Sequence, residues 1–313
     1  MNTSSARSKV VLAGGSGYLG RLLADSFSND NWEVIILSRS SNLPLPASVN
    51  VVPWDGKTMG SWKEALEGAN ALINLAGRSV DCRYTKKNRE SILSSRVDST
   101  RALSEAVEAC SDKPKVWLNA SSMATYGQRG GNELPFDEDS PTTGKGFLEE
   151  VTQAWENEFF KHTWADVRKL ALRISFVLGR ESGAFPLLAK FAGLGLGGAQ
   201  GSGKQWMSWL HEDDFVGIVR FLIEHNTLAG SFNLAAPNPL TNAEFMHCLR
   251  AKLAPLGIGL PAPAIGVRLG CLLIGSAPEL ALQSRKVVSA RLKVARYQFK
   301  HPLLDHAVDA LIA

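Results

Sequence analysis

Little in this chain of 313 residues is extreme. It has four cysteines, Cys82, Cys110, Cys248 and Cys271, and no two stand at the spacing of a zinc knuckle or a redox pair. That argues against a disulfide scaffold or a metal finger and fits reduced thiols in a cytosolic protein; no metal is expected. No apolar run is long enough to span a bilayer: the most apolar C-terminal stretch, 269–274, is short and flanked by Arg268 and Glu279. No signal-peptide shape opens the chain, because Val10-Val11-Leu12-Ala13 runs straight into glycines, as a strand entering a loop does. A cytoplasmic protein with no membrane partner is therefore expected. Charge of one sign is also lacking. The 34 basic and 30 acidic residues leave a net +4 with no basic run of five, so no nucleic-acid partner is called for. No internal repeat is visible. With 45% hydrophobic and 20% charged residues, the composition is that of an ordinary globular protein and excludes a disordered one.

What is present is alternation. Short apolar, β-branched runs at 9–13, 33–38, 50–53, 71–75, 116–121 and 170–177 read as strands. Amphipathic segments at 18–29, 61–67, 85–110 and 147–163 read as helices between them. This is the signature of a parallel sheet covered on both faces. The long helix has Thr85 as a candidate N-cap and apolar residues at Ile92, Leu93, Val97, Leu103 and Val107. Past about residue 180 the character changes. Residues 193–203, GLGLGGAQGSG, read as a loop; a helix starts near Asp213 or Asp214, and another over 243–254 is capped by Thr241 or Asn242. Pro255, Pro261 and Pro263 punctuate the chain before a final helical lobe over about 264–313. The expected fold is α/β: a doubly wound parallel Rossmann sheet over 1–180, completed by parts of 205–240, with substrate-side loops and a small C-terminal lobe over 181–313.

Gly14, Gly17 and Gly20 form a GxxGxxG pattern that follows a strand and opens a helix, with Tyr18 and Leu19 inside it. Glycines there allow a tight turn and let the backbone approach a pyrophosphate at the helix N-terminus. The second strand ends in Ser38-Arg39-Ser40. Arg39 stands 19 positions after Gly20, where an NAD protein usually carries an acidic residue for the ribose 2′-hydroxyl. A guanidinium suits a 2′-phosphate, with the serines assisting, so the expected cofactor is NADP(H). Asn74-Leu75-Ala76-Gly77, with small residues under the adenosine, ends the fourth strand. Trp54-Asp55 is placed either to edge an adenine pocket or to serve as core and cap.

Beyond these motifs, SSRVDSTRAL at 94–103, SSMATYG at 121–127, FLEEVTQAWE at 147–156 and VLG at 177–179 follow in order. Together with the glycine loop and NLAG at 74–77, they resemble the extended short-chain dehydrogenases/reductases. The stretch GLGLGGAQGSGKQWMSWLHEDD at 193–214 and the tail after Pro261 resemble an atypical branch, the epimerase-family and cell-division-inhibitor-like proteins. The resemblance implies a six- or seven-stranded sheet, NADP(H) and a C-terminal lobe over a substrate cleft. It places the cofactor on the glycine loop, Ser38-Arg39, Leu75-Ala76-Gly77, Arg96, Ser121 and Val177. Arg96 reads independently as a phosphate or ribose ligand, or as one half of a helix-surface salt bridge.

Ordinary members keep a catalytic Ser, Tyr and Lys, the last two four apart on one helix face. This chain has four tyrosines, Tyr18, Tyr84, Tyr126 and Tyr297, and none has a lysine four positions on. Position matching keeps the serine as Ser122 and puts Phe147 and Val151 where the tyrosine and lysine would be. Relocated acid–base groups could come from Ser122, Tyr126, Lys145, Glu150, Lys204 or His211, with Ser122 and Tyr126 the first candidates. Lys204, Gln205, Trp206 and His211 are expected to shape a substrate pocket, although His211 at a helix start also reads as a capping residue. Trp206 and Trp209 read either as stacking platforms or as packing. The functional expectation is an NADP(H)-binding oxidoreductase or epimerase-like protein acting on a small molecule. The alternative is a non-catalytic NADPH sensor or regulator, and a vestigial structural module stands third. The state expected is monomer or homodimer.

Overall fold

The computed structural model describes residues 7–40, 45–183, 185–254 and 256–313; Pro255, read above as a break, lies outside them. The apolar runs become strands because both of their faces are buried. These strands are β1 (Lys9–Ala13), β2 (Glu33–Ser38), β3 (Val49–Pro53), β4 (Ala71–Asn74), β5 (Val116–Ser122) and β6 (Arg168–Ile174). Alternate side chains feed two separate cores. Val10, Leu12, Ile36, Ile73 and Leu118 join one, while Val11, Ala13, Leu37, Leu72 and Trp117 join the other. Helices α1 (Tyr18–Asn29) and α5 (Glu212–Glu224) close the first through Leu23, Phe27, Phe215, Ile218 and Leu222. Helices α2 (Lys86–Ala109) and α3 (Phe147–Phe160) close the second through Leu103, Val107 and Phe159. Each large apolar side chain taken fully out of water there contributes about 1.5–3 kcal/mol.

The seventh strand is β10 (Gly230–Leu234), and the sheet runs β10-β6-β5-β4-β1-β2-β3, every pair parallel. The winding direction reverses between β1 and β4, which leaves a crevice at their C-terminal ends. Several local readings change. The run 170–177 is not one strand. Ser175 donates both its amide and its hydroxyl to the Leu234 carbonyl (3.1 and 2.7 Å), and the chain leaves the sheet there. Its continuation, β7 (Phe176–Leu178), pairs with β9 (Trp209–His211) instead. Residues Ser61–Leu66 form a 3₁₀ helix, and α3 stops at Phe160. The helix expected from Asp213 or Asp214 begins at Glu212, with His211 as its cap.

Beyond the sheet, α4 (Phe185–Gly193), α6 (Asn242–Leu253) and α10 (Leu304–Ile312) enclose a third core with β7 and β9. A reciprocal capping box between Thr241 and Glu244 starts α6. The two-residue strands β8 (Trp206–Met207) and β11 (Leu240–Thr241) pair beside it. Helices α7 (Ala264–Ile274), α8 (Glu279–Leu282) and α9 (Ala290–Val294) complete the lobe. No helix among the described residues is long and apolar enough to cross a membrane.

Candidate functional site

The crevice is lined first by the glycine loop. Gly14 has φ +73°, and a Cβ on it would lie 2.7 Å from the Ala76 backbone, so the β1 and β4 loops touch only because it is glycine. Gly20 meets Gly15 in the same way, a Cβ there falling 2.5 Å from its backbone, which brings α1 onto the loop. Gly17 is different. A Cβ on it would meet only the Gly14 carbonyl, at an ordinary 3.7 Å, so the protein itself does not require glycine there. Gly17 is also the N-cap of α1 and provides no side-chain cap. The result is an uncovered helix start with room for an anion against its first amides. Leu19 turns into the core. The Tyr18 ring packs on Gly179, and its hydroxyl is hydrogen-bonded to the Glu212 carboxylate, which walls the loop toward β7.

The second wall is the β4 end. Buried Asn74 donates to Thr100 and Asn119 (3.2 and 2.7 Å) and accepts the Ala76 amide at 3.0 Å, fixing the Leu75-Ala76-Gly77 turn. Over Gly77 lies Arg96, 3.1 Å from where a Cβ would be. Arg96 has no carboxylate partner among the described residues. It donates to the Arg78 and Ile92 carbonyls at 3.0 Å and covers Trp155 at 5.1 Å. The salt-bridge alternative therefore falls, and burial brings this guanidinium down to about 10.

At the far end, Arg39, Trp54 and Trp62 line a cavity of about 430 Å³ with Pro53, Asp55, Thr58 and Gly60. Arg39 is exposed, and Ser38 holds the turn by accepting the Ser40 amide at 3.2 Å. Trp54 is packed against Trp62, and its indole N–H is buried without a partner among the described residues. Asp55 accepts from Thr58 and Lys57; these hydrogen bonds, the Thr58 hydroxyl first, lower its pKa and make it a turn cap.

The expected acid–base groups are placed less simply. Ser122 ends β5, half-buried, and its Oγ accepts the Ala124 amide at 3.1 Å. Tyr126 is a correction. It is buried against Phe136, donates to Asn233 Oδ1 (2.8 Å) and accepts from Arg173 (2.7 Å), so its proton is already committed within the core. Ser121 donates to the Glu156 carboxylate. Val177 packs on the first core from β7.

The pocket group is dispersed. Gln205 is buried and donates to the Gln200 carbonyl at 2.8 Å. Trp209 is fully buried and bonds the Asn238 carbonyl, so it is packing. Trp206 is held by the Gly131 carbonyl and by Lys286, 3.9 Å from its ring. Lys145, Glu150 and Lys204 are exposed. His211 is buried, and its Nδ1 caps α5 by accepting the Asp213 amide at 3.0 Å. With Asp213 and His301 it makes a cluster whose ligand atoms lie within 4.8 Å of one another. The Lys300 ammonium, 2.6 Å from Asp213, already partners that carboxylate.

Phe147 is half-buried at the start of α3 and Val151 is buried one turn on. Against Phe147 stands a residue not expected from the sequence, Tyr84, edge-on with ring centroids 5.0 Å apart. No local signal marks Tyr84; it enters the site only through the loop before α2.

This sheet, its switch point and its glycine loop define a Rossmann-type protein of the short-chain dehydrogenase/reductase class. The chain belongs to the NAD dependent epimerase/dehydratase family, whose sequence model matches residues 10–235, while a domain of unknown function, DUF1731, matches 262–311. It is 30% identical to the epimerase family protein YfhF of Bacillus subtilis over 305 residues, 97% of this chain and 98% of that one. It is also 30% identical to the chloroplastic SDR39U1 homolog of Arabidopsis thaliana, over 97% of this chain and 86% of that one. Among solved structures, the human epimerase family protein SDR39U1 (isoform 2), crystallised with NADPH, superposes with a TM-score of 0.84 at 28% identity, covering 97% of this chain and 98% of that one.

Proposed function

We propose that this chain binds NADP(H) in the crevice and acts as an oxidoreductase or epimerase-like protein on a small substrate. The observation that carries the reading is the uncovered α1 start at Gly17, a glycine the fold does not need and a pyrophosphate does. Arg39 beside the Trp54 cavity supports a 2′-phosphate over a free ribose hydroxyl. The NADPH named for the human relative agrees with this. Leu75, Ala76 and Gly77 would run under the adenosine half, and Arg96 would approach a phosphate or ribose oxygen. When bound, NADPH supplies a hydride at its nicotinamide ring. Phe147 and Val151, which cannot move a proton, favour the non-catalytic sensor as the second reading.

Nicotinamide fluorescence on titration tests this. NADPH is expected to bind more tightly than NADH, and Arg39→Ala to lose about 1.5–3 kcal/mol of that preference, the worth of one charge-assisted contact. Gly17→Val should abolish binding while leaving the fold intact. Equal affinities for the two cofactors, or normal binding by Gly17→Val, would remove the reading. Following reduced-nicotinamide absorbance with carbonyl and nucleotide-sugar candidates separates enzyme from sensor.

A further inference from the structure

Tyr84 packs on Phe147 and Arg285 pairs with Glu149, both in the first turn of α3, and each brings a buried donor that has no partner among the described residues. The Tyr84 ring meets Phe147 at 62°, and the Arg89 guanidinium carbon lies 4.7 Å from the Phe147 ring and 5.9 Å from that of Tyr84. The Tyr84 hydroxyl is shielded from solvent and has no hydrogen-bond partner among the described residues. Arg285 comes from the segment after α8. Its Nη2 donates to Glu149 Oε1 at 2.9 Å, with both side chains buried, and its Nε–H is shielded and unpartnered among the described residues. Native proteins seldom leave buried donors unmatched, because the loss is not offset by water. Two such donors beside one helix turn point to an acceptor that arrives from outside.

The chemistry of that acceptor follows from the charges around it. Glu149 already neutralises Arg285, so the two free donors offer hydrogen bonds more than net charge, and a carbonyl oxygen needs only those. Burial pushes the Tyr84 phenol well above its ordinary range. Glu279, Cys82 and Asp81 act in the same direction and Arg285 against it, so the phenol keeps its proton and serves as a donor. We propose that Tyr84 Oη–H and Arg285 Nε–H together receive the carbonyl oxygen of an aldehyde or ketone substrate, with Tyr84 as the proton donor that Phe147 cannot be. This rests on the NADP(H) reading above. The carbonyl carbon takes the hydride from the reduced nicotinamide, and the C=O π pair moves onto oxygen. Tyr84 gives that oxygen its proton and regains one from water that enters as the alcohol leaves. The products are the alcohol and the oxidised nicotinamide.

A crystal structure of the full chain with NADPH, together with Tyr84→Phe, tests this. Both donors are expected within about 7 Å of nicotinamide C4, the span of a near-attack contact, a carbonyl bond and a hydrogen bond. A separation beyond about 10 Å overturns the proposal. Tyr84→Phe should bind NADPH as the parent does and melt at the same temperature or higher, because it removes a hydroxyl with no partner. A clearly lower melting temperature would make the hydroxyl structural and overturn the proposal. On any member of an aldehyde and ketone panel that the parent reduces, the variant should lose at least about 100-fold in turnover; full retention overturns it. Failure of the parent to bind NADPH would instead bring down the cofactor reading, and this proposal with it.

Discussion

At the scale of single residues, His211 carries a consequence for stability. Its Nδ1 caps α5, and its ring packs against His301, tilted, with centroids 3.9 Å apart. Its Nε2 is buried without a partner among the described residues. Burial first, and the charge of His301 second, lower its pKa from 6.5 to about 4. The folded state thus holds His211 neutral where the unfolded chain would protonate it. The stabilisation is complete above about pH 6.5 and is lost as pH falls toward about 4, and its size is of the order of 3 kcal/mol. His211→Asn keeps an acceptor for the cap and removes the titration. Its melting temperature should therefore fall less between neutral pH and pH 4 than the parent's. Parallel curves by circular dichroism would show that the histidine pair is not the sensitive group.

At the scale of elements, α3 shows why the missing acid–base pair cannot simply be written back. Val151 is 3% exposed. A lysine there would bury an ammonium in a position packed for an apolar side chain, at a cost of several kcal/mol. Phe147→Tyr/Val151→Lys should unfold at distinctly lower urea than the parent. NADPH should recover part of the loss if the ammonium reaches its ribose hydroxyls; an unchanged midpoint would mean that Val151 has room the packing does not show. The elements themselves differ in how far they can be read from sequence. β1, β2, β4 and β5 are legible because their apolar runs end at glycine or polar turns, and the glycine loop is legible because all its parts lie within a few residues. α4 was not, because FPLLAKFAG has a single charge, Lys190, and hence no polar face to give a period. β10 carries Gly230, Ser231 and Asn233, so it reads as a strand only once its place beside β6 is known. The Tyr84–Phe147–Arg285 corner is hidden for a similar reason. Its ion pair joins residues 136 positions apart, and no local pattern marks either end. Tyr126 misled because proximity to Ser122 in sequence says nothing of which side of β5 its ring takes.

At the scale of the molecule, the sheet and the lobe are joined through buried polar groups as well as apolar ones. Glu156 holds Ser121 and, through two contacts at 2.8 and 2.9 Å, Arg173. Arg173 bonds Tyr126, Tyr126 bonds Asn233, and the Asn233 amide donates to Glu138 at 2.8 Å. Glu138 then accepts from Ser289, Ala290 and Arg291 at 3.1, 2.9 and 3.3 Å, closing on the first turn of α9. Glu138→Gln puts an amide donor where backbone donors point. It should cost about 3 kcal/mol in urea unfolding while the transition stays single, the loss expected for hydrogen bonds to a charged group. A second transition would mean that the lobe unfolds alone. This line of contacts runs from β5 through α3, β6 and β10 into α9, so it pins the C-terminal lobe to the sheet at α9. What ties the 78–85 loop to α7 and the residues after it is slighter: Asp81 to the Ser276 hydroxyl, and Arg83 to the Leu272 carbonyl. The lobe is thus fastened at one end by a chain of buried partners and, through the 78–85 loop, at the other by two exposed hydrogen bonds among the described residues, so loosening of the lobe is expected to begin at α7 and not at α9.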